Sequence, residues 1–381
     1  MLFEYETLQI IWWILIGVLL IGFALTGGMD MAVSVLLFRV GKTPGERGAI
    51  LSTIVPHWDG NQVWLITAGG AIFAAWPEVY AASFSGMYWA MILLLAFIWL
   101  RPLAFDYRNH CETPVWRTRW DIILTAGSLI PLMIFGIAFG NLLQGLPFWA
   151  DEQVRWHYEG TFLFALLPLL NPFALLCGVV CVMMLLTHAC MWIQLRCSGD
   201  VAHRAHCNCY YFAIATMLLF IAAGICSFSF DGPVLQSPAP EGSYQIITAK
   251  TVEFVPHGLF MNYLEYPITL VFPIVALLGM FMAMVCILKD RPGQGILWTS
   301  AGVAATIATP AVSLFPFIMP SSIDPASSLT IYDATSSAFT LNAMLIAALI
   351  LVPVAVAYTV WAYKKMWHRA PESSDNSTYN L

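Results

Sequence analysis

The feature that most constrains this chain is a group of polar residues at the start of an apolar run. Residues 56–77 read PHWDGNQVWLITAGGAIFAAWP, a stretch long enough to cross most of a bilayer. An ionised side chain in hydrocarbon costs roughly 2.5–3.5 kcal/mol, so such residues are rarely placed there without a partner. The run therefore predicts a polar pocket or a proton route inside a membrane protein, built on His57, Asp59, Asn61 and Gln62.

Composition places the whole chain in the membrane class. It is 60% hydrophobic and only 10% charged, whereas a soluble domain carries about 25% charged residues. A bilayer core about 30 Å thick needs about 20 apolar residues per helix. The sequence predicts an all-α fold with nine transmembrane helices near residues 9–38, 52–76, 79–100, 120–142, 162–192, 208–230, 264–288, 295–317 and 339–364. We expect a tight turn at residues 76–78 between the second and third segments.

The basic residues predict the orientation. All of the 16 Lys and Arg except Arg155 and Lys250 fall on one side of the nine segments, and the basic side of a membrane protein is usually cytoplasmic. The N-terminus is therefore expected in the periplasm and the C-terminus in the cytoplasm. Residues 1–369 form the predicted transmembrane domain, surrounded by membrane lipid, and 370–381 a polar, disordered cytoplasmic tail. No basic stripe indicates a nucleic-acid partner.

With this orientation, the intramembrane acids lie toward the cytoplasm. Asp30 is about two turns before the inner end of the first helix, and Asp59 is at the inner start of the second. Acids at such positions are typical of proton relays, although they can also serve only to bond neighbouring helices. Arg101, at the end of the third segment, either anchors a carboxylate or snorkels to the interface. Asp333 is expected to cap the approach to the last helix.

Neither a metal site nor a haem site is predicted. His57 and His188 are the histidines that fall clearly within spans, which is few for a multi-haem protein. No phosphate-binding loop or nucleophile elbow is present, so no catalytic residue is assigned. One cluster in the predicted fifth-to-sixth loop has zinc-ligand types but no zinc spacing: Cys197, His203, His206, Cys207 and Cys209.

Residues 56–77 resemble the signature of subunit II of cytochrome bd quinol oxidases. Further blocks match in family order along essentially the whole chain: Glu6 with Ile11-Trp12-Trp13, Arg101-Pro102 with Phe105-Asp106-Tyr107-Arg108, Gly140-Asn141-Leu142-Leu143 with Gly145, Phe315-Pro316-Phe317 with Met319-Pro320-Ser321-Ser322, and Ser328-Leu329-Thr330 with Asp333-Ala334-Thr335-Ser336-Ser337. Because the match extends from end to end, it is far more specific than any one motif.

The resemblance implies a nine-helix subunit paired with a homologous-fold subunit I in the bacterial inner membrane. Subunit I would hold haems b558, b595 and d and the quinol site, and the complex would oxidise quinol, reduce oxygen to water and build proton-motive force without pumping. This chain would bind no haem, and it would support subunit I and the access of oxygen. Some family members hold a structural quinone in this subunit, so a quinone is also possible here. A small third subunit is left open.

The resemblance also implies a proton path. It runs from the cytoplasm toward haem d through Asp59 and Asp30. The polar run itself adds His57 to this predicted path, and Asn61, Gln62 and Arg101 are predicted as polar support.

One position departs from the family. The family usually reads Thr-Asp-Gly-Phe-Asp-Met-Gly where residues 26–32 read TGGMDMA, so Gly27 replaces the first acid. The chain then either lacks one relay point or uses water in the space left by Gly27. Two rival hypotheses stay open: a proton-coupled transporter that uses the same acids, and a purely structural partner of a haem subunit. Transporters often have paired interrupted helices in inverted halves, and the sequence shows no such pair.

Overall fold

Long helices make up most of the computed structural model, which describes residues 3–151, 153–158, 166–237 and 249–370. Within these ranges, eight helices are long and apolar enough to cross a membrane. The bent pair of helices Trp58–Ala75 and Pro77–Gly86 brings the number of candidate spans to nine if the pair is counted as one broken span. The predicted all-α, polytopic membrane fold is therefore confirmed, with eight or nine candidate spans in the described ranges.

The helices and strands follow in chain order. The helices are α1 (Tyr5–Phe23), α2 (Met29–Val35), α3 (Leu37–Val40), α4 (Pro44–Ser52), α5 (Trp58–Ala75), α6 (Pro77–Gly86), α7 (Tyr88–Tyr107), α8 (Pro114–Gln144), α9 (Pro172–Arg196), α10 (Gly199–Ser227), α11 (Met261–Glu265), α12 (Val271–Leu288), α13 (Pro292–Leu314) and α14 (Ala338–Lys365). The strands are β1 (Phe148–Ala150), β2 (Trp156–Tyr158), β3 (Asp231–Ser237), β4 (Thr251–Pro256), β5 (Phe317–Met319) and β6 (Leu329–Thr330).

The first span is interrupted in its middle. A π-helical turn, Ala24–Gly28, joins α1 to α2, and both of its glycines are buried. Such turns are rare inside helices and occur frequently at functional sites. The turn places Asp30 in the first turn of α2, facing the interior of the bundle.

The chain bends sharply at Trp76 and Pro77, within the turn predicted for residues 76–78, but the third span does not follow directly. Trp76, the residue after α5, is non-helical (φ −130°, ψ 66°), because a residue that precedes proline is disfavoured in the helical region. Pro77 then starts the ten-residue helix α6, which is bent by 117° from α5. The third span therefore begins at Tyr88 rather than near residue 79.

Small residues allow the central helices to pack closely. A Cβ atom added to Gly136 on α8 would lie 2.5 Å from the Cys177 carbonyl oxygen, and one added to Gly140 would lie 2.7 Å from the Ala174 Cα on α9. Backbones can approach this closely only where side chains are absent. This contact fixes α8 against α9, the helix with the largest buried share of any candidate span in the described chain.

The basic side chains gather at one end of the bundle, which we call the basic end (Arg39, Arg47, Arg108, Arg196 and Arg204). Arg204 pairs with Glu46 at 2.6 Å, and Arg39 donates to Asn208 at 2.5 Å. These contacts join the segment after the first span to α10. The prediction that basic residues cluster on one side agrees with these contacts.

The opposite end is built from three two-stranded antiparallel ribbons, which the sequence analysis did not predict: β1–β2, β3–β4 and β5–β6. Lys250 reaches from beside β4 to Asp333, with 2.6 Å between Nζ and Oδ2. Asp333 also accepts a hydrogen bond from the backbone N–H of Thr330. The expected helix-capping role of Asp333 is wrong, because the Ser337 side chain caps α14 instead.

Two further predictions concern the basic end. The Cys/His cluster was expected in a loop, but His203 through Cys209 lie on α10, which begins at Gly199. Of the predicted tail, Ala370 is buried and its N–H bonds to the Arg196 carbonyl oxygen at 2.7 Å. The remainder, residues 371–381, lies outside the described residues.

Candidate functional site

A buried acid forms the centre of the candidate site. The Asp30 side chain is fully buried, and its Oδ2 accepts a hydrogen bond of 2.7 Å from the Asn61 amide nitrogen. The Asn61 carbonyl oxygen in turn accepts from the Tyr363 hydroxyl at 3.0 Å. Three spans are thus joined through one amide, since these residues belong to α2, α5 and α14. We call Asp30, Asn61, Tyr363, His57 and Arg101 the polar cluster.

His57 packs beside Asn61 at the start of α5. Its ring is stacked on Tyr363, with centroids 4.3 Å apart and planes 5° apart, and the Trp192 ring meets it edge-on at 5.7 Å. Both ring nitrogens are buried and have no hydrogen-bond partner among the described residues. Buried polar atoms ordinarily bond to protein groups or to ordered water. Two aromatic rings, those of Tyr363 and Trp192, pack against the imidazole and restrict its orientation.

Arg101 is buried rather than snorkelling. Only 1% of the residue is exposed, and its Nε and Nη2 atoms have no hydrogen-bond partner in the described part of the chain. The guanidinium lies 5.9 Å from the centre of the Phe105 ring and acts electrostatically on Asp30. This burial argues against the snorkelling role, and the anchoring of a carboxylate by Arg101 stays a prediction.

Asp59 lies on the other side of α5. It is exposed on the surface of this chain, on the same outward face as Val63 and Ile66, which are 55% and 71% exposed. Asn61, two residues further along, points inward to Asp30. Asp30 is therefore buried in the bundle, whereas Asp59 lies on its surface. The structure does not bring Asp59 into the polar cluster.

Gln62 and Gly27 meet beside this cluster. A Cβ atom built on Gly27 would lie 2.6 Å from the Phe23 ring and 3.1 Å from the Gln62 amide nitrogen. That amide nitrogen is buried and has no partner among the described residues. The Phe23 ring thus fills the space that a side chain at position 27 would occupy. The expectation of water in that space is wrong, and the alternative of one missing relay point remains.

The sequence analysis missed a second buried acid. Asp121 on α8 is fully buried and pairs with the Nε atoms of Arg47 at 2.7 Å and Arg108 at 2.6 Å. Arg47 also donates to Thr118, and Arg108 donates to the Pro44 carbonyl oxygen. The sequence signal for this site is an acid at the start of an apolar run with arginines close by. Those arginines were used only to predict the orientation in the membrane, and not as partners of the acid. These ion pairs join α4 and the end of α7 to α8 at the basic end.

The described residues offer no group of three or more His, Cys, Asp or Glu that could hold a metal ion. Cys207 and His203 approach at 3.8 Å, which is a contact of two side chains and not a ligand set. His188 is buried in α9 and pairs through Nδ1 with the Thr299 hydroxyl at 2.7 Å. Neither His188 nor His57 lines the apolar cavity described in the next paragraph.

An apolar cavity of about 330 Å³ lies among α1, α8, α9, α10 and α13. Phe23, Phe135, Phe173 and Leu185 are among its lining residues, and Tyr263 places a hydroxyl near its edge that donates to the Thr309 carbonyl oxygen. A cavity with apolar walls and few polar groups is typical of a site for a hydrophobic ligand.

Comparison with known proteins decides the family. The family profile described as cytochrome bd terminal oxidase subunit II matches residues 8–366. The chain belongs to this family. A protein of Haemophilus influenzae described as a probable cytochrome oxidase subunit 2 is 46% identical over 366 residues, which cover 96% of each chain. The cytochrome bd-I ubiquinol oxidase subunit 2 of Escherichia coli strain K12 is 42% identical over 380 residues, or 99% of each chain.

A solved structure supports the fold. A chain of the bd oxidase from Geobacillus thermodenitrificans matches with a TM-score of 0.68 and 14% identity, over 94% of this chain and 98% of that chain. As a cytochrome bd subunit II, this multi-pass membrane protein is part of a quinol oxidase complex, an oxidoreductase that also contains a subunit I. The predicted family, enzyme class and partner subunit are confirmed.

Proposed function

We propose that this subunit carries protons from the basic end, which faces the cytoplasm, to the partner subunit, by way of the polar cluster and Asp59. The observation that supports this most is the placement of Asn61. Its amide binds the interior acid Asp30, while Asp59, two residues earlier on the same helix, faces outward. One turn of α5 therefore links an interior carboxyl to the surface that a partner can cover.

The outward position of Asp59 calls for a protein neighbour. Its exposed face is otherwise apolar, with Val63 and Ile66 on the same side. An ionisable side chain facing lipid is costly, whereas one that faces a protein interface can pair with polar groups there. We therefore infer that subunit I covers this face of α5 and receives protons from Asp59.

The polar cluster supplies the inner part of the route. Asp30 Oδ1, the two His57 ring nitrogens and the Gln62 amide nitrogen are buried without a partner in the described chain. Groups of this kind bind ordered water when the site is polar. Arg101 adds a buried positive charge to this cluster. These residues hold and pass protons, and none of them is assigned a role in the redox chemistry.

The haems b558, b595 and d belong, in this proposal, to subunit I. This assignment is supported by the contacts of the two intramembrane histidines, since His188 bonds the Thr299 hydroxyl and His57 is packed against the Tyr363 and Trp192 rings. The apolar cavity is the proposed place of a structural quinone and of oxygen on its way to subunit I. Quinol and oxygen are the proposed substrates of the complex in the bacterial inner membrane. Nothing in the described residues assigns a surface to a small third subunit.

Two alternatives make different predictions. A proton-coupled transporter would act without a haem subunit, and membership of the bd oxidase family gives it no support. A purely structural subunit would share every contact described above but would not depend on the charge of Asp59. The second alternative is therefore the one that an experiment must separate from the proposal.

The test replaces Asp59 with Asn in the intact complex. The change keeps the shape of the side chain and removes its ability to carry a proton, so we expect oxygen reduction to slow by about ten-fold or more, within the range of general acid–base effects. Glu112→Gln, an exposed acid between α7 and α8, is the matched control. Intact assembly with unchanged turnover in Asp59→Asn would leave only the structural role.

A further inference from the structure

We propose that Arg196 is a positioning residue that clamps the C-terminal segment Met366–Ala370 and thereby holds Tyr363 against His57 and Asn61. The functional role of the Tyr363 contacts rests on the proposed function, whereas the clamp consists only of contacts within this chain. It concerns the end of α9 and the residues that follow α14.

The clamp has several independent contacts. The Arg196 Nε donates to the His368 carbonyl oxygen at 2.7 Å, and its Nη2 approaches the Met366 carbonyl oxygen at 3.5 Å. The Ala370 N–H returns a hydrogen bond of 2.7 Å to the Arg196 carbonyl oxygen. Arg196 is completely buried by these contacts. A short segment with no helix of its own is thus bound at both ends to one residue.

Two indole rings enclose the guanidinium. The centre of the Trp192 ring lies 4.8 Å from the Arg196 Cζ, and that of Trp367 lies 4.5 Å from it. Stacking between rings and the hydrogen-bonding fork are properties of arginine that lysine does not share. Trp192 also meets the His57 ring at its edge, so the clamp and the polar cluster share one side chain.

The helix before the clamp has little else to hold its end. Of the 28 residues of α14, only Leu341, Leu345 and Ala362 are buried in this chain. The first two lie near its start, and Ala362 lies beside Tyr363 at its end. Without the clamp, the last turns of α14 would be held mainly by Ala362 and by the Tyr363 contacts themselves. We infer that Arg196 supplies the missing attachment.

Cysteines already present in the chain report on the clamp. Cys197 follows Arg196, is 3% exposed, and lies at the wall of a polar pocket of about 530 Å³ that Arg369 also lines. Release of the segment would admit a thiol reagent to Cys197. Cys190, two turns earlier on α9 and fully buried, should stay unreactive, while the exposed Cys111 and Cys207 report that reagent is present.

The experiment is peptide-resolved labelling of the assembled oxidase with N-ethylmaleimide, comparing Arg196→Gln and Arg196→Lys with the control Arg39→Gln. We expect both Arg196 variants to label Cys197 at least about five-fold faster, as local opening predicts, with Cys190 unchanged. Amide hydrogen exchange of a peptide covering residues 51–61 should also accelerate. Unchanged Cys197 labelling and unchanged exchange in both variants would overturn the proposal.

A double-mutant cycle separates positioning from general loss of stability. If Arg196 acts through Tyr363, the oxygen-reduction rate of Arg196→Gln combined with Tyr363→Phe should be no lower than that of the slower single variant. Independent, multiplicative losses would contradict this role. Faster Cys197 labelling together with full activity in Asp59→Asn would leave the clamp standing and remove the proton route. The two proposals therefore fail in distinguishable ways.

Discussion

The side-chain amide of Asn61 donates a hydrogen bond of 2.7 Å to the carboxylate of Asp30, across the contact between the first two spans. Through its own carbonyl oxygen the same amide receives the Tyr363 hydroxyl. A single uncharged residue thus bonds one oxygen of the buried acid and ties it to the last helix, while Asp59, two residues earlier on α5, lies on the surface of this chain.

Replacement of Asn61 by Leu should destabilise the subunit, because Asp30 would keep its burial and lose its hydrogen bond. A buried hydrogen bond to a charged group is worth about 1.5–3 kcal/mol. We expect a lower midpoint of thermal unfolding for Asn61→Leu in the purified complex, measured by scanning fluorimetry. Gln294→Leu, which alters an exposed amide at the start of α13, is the control. An unchanged midpoint in Asn61→Leu would contradict the importance of this bond.

Removal of the second buried acid should have a larger effect. Asp121→Leu would leave Arg47 and Arg108 buried and without their shared carboxylate. Breaking a buried ion pair on one side costs about 3–5 kcal/mol. We expect Asp121→Leu to reduce the yield of assembled complex, measured by co-purification with subunit I, and Asp200→Asn on the exposed side of α10 to leave it unchanged. Normal assembly of Asp121→Leu would be evidence against a structural ion pair.

Gly27 should tolerate a side chain only if Phe23 becomes smaller. A Cβ at position 27 would lie 2.6 Å from the Phe23 ring, and overpacking of this kind costs about 1–3 kcal/mol. We expect Gly27→Ala to lower the unfolding midpoint and Phe23→Leu combined with Gly27→Ala to recover part of the loss. Additive losses in the double variant would show that the ring does not fill this space.

The pair of Glu46 and Arg204 should make stability depend on pH. Partial burial raises the pKa of Glu46, but the ion pair with Arg204 and the N–H groups of Lys42 and Thr43 outweigh it, so its pKa lies below the ordinary 4.5. A carboxyl whose pKa is lower in the folded state stabilises above its unfolded pKa, and this contribution is lost as the pH falls through the folded pKa.

The matching variant is Glu46→Gln. We expect it to be less stable than the unaltered protein near about pH 7 and to approach it as the pH falls toward about 4. Thermal unfolding of both proteins across this range measures the difference. A stability difference that does not shrink on acidification would show that the charge of Glu46 is not what holds α4 to α10.

The sequence predicted the parts of this structure that depend on hydropathy and charge counts. The nine apolar segments and the gathering of basic residues follow directly from what a bilayer accepts. A turn at residues 76–78 was also expected, but the short helix α6 that follows it was missed. Because the apolar run continues through α6, hydropathy could not separate this short helix from the start of the next span.

Side-chain partners were harder to predict than spans. Asp59 was expected in one proton path with Asp30. Helical phase instead places Asp59 on the exposed face of α5, away from the face on which Asn61 bonds Asp30. The pairing of Asp121 with two arginines, and of Lys250 with Asp333, joins residues at least 13 positions apart in sequence. No local pattern encodes such contacts, because they depend on how distant spans and outer ribbons come together.

The most direct test of the central claim is proton uptake by the reconstituted oxidase, followed with a pH indicator on the side of the basic end during a single turnover. We predict that Asp59→Asn and Asp30→Asn each slow this uptake together with oxygen reduction, and that Glu112→Gln alters neither. Proton uptake and oxygen reduction at the unaltered rate in Asp59→Asn, in a fully assembled complex, would contradict a proton route through this subunit.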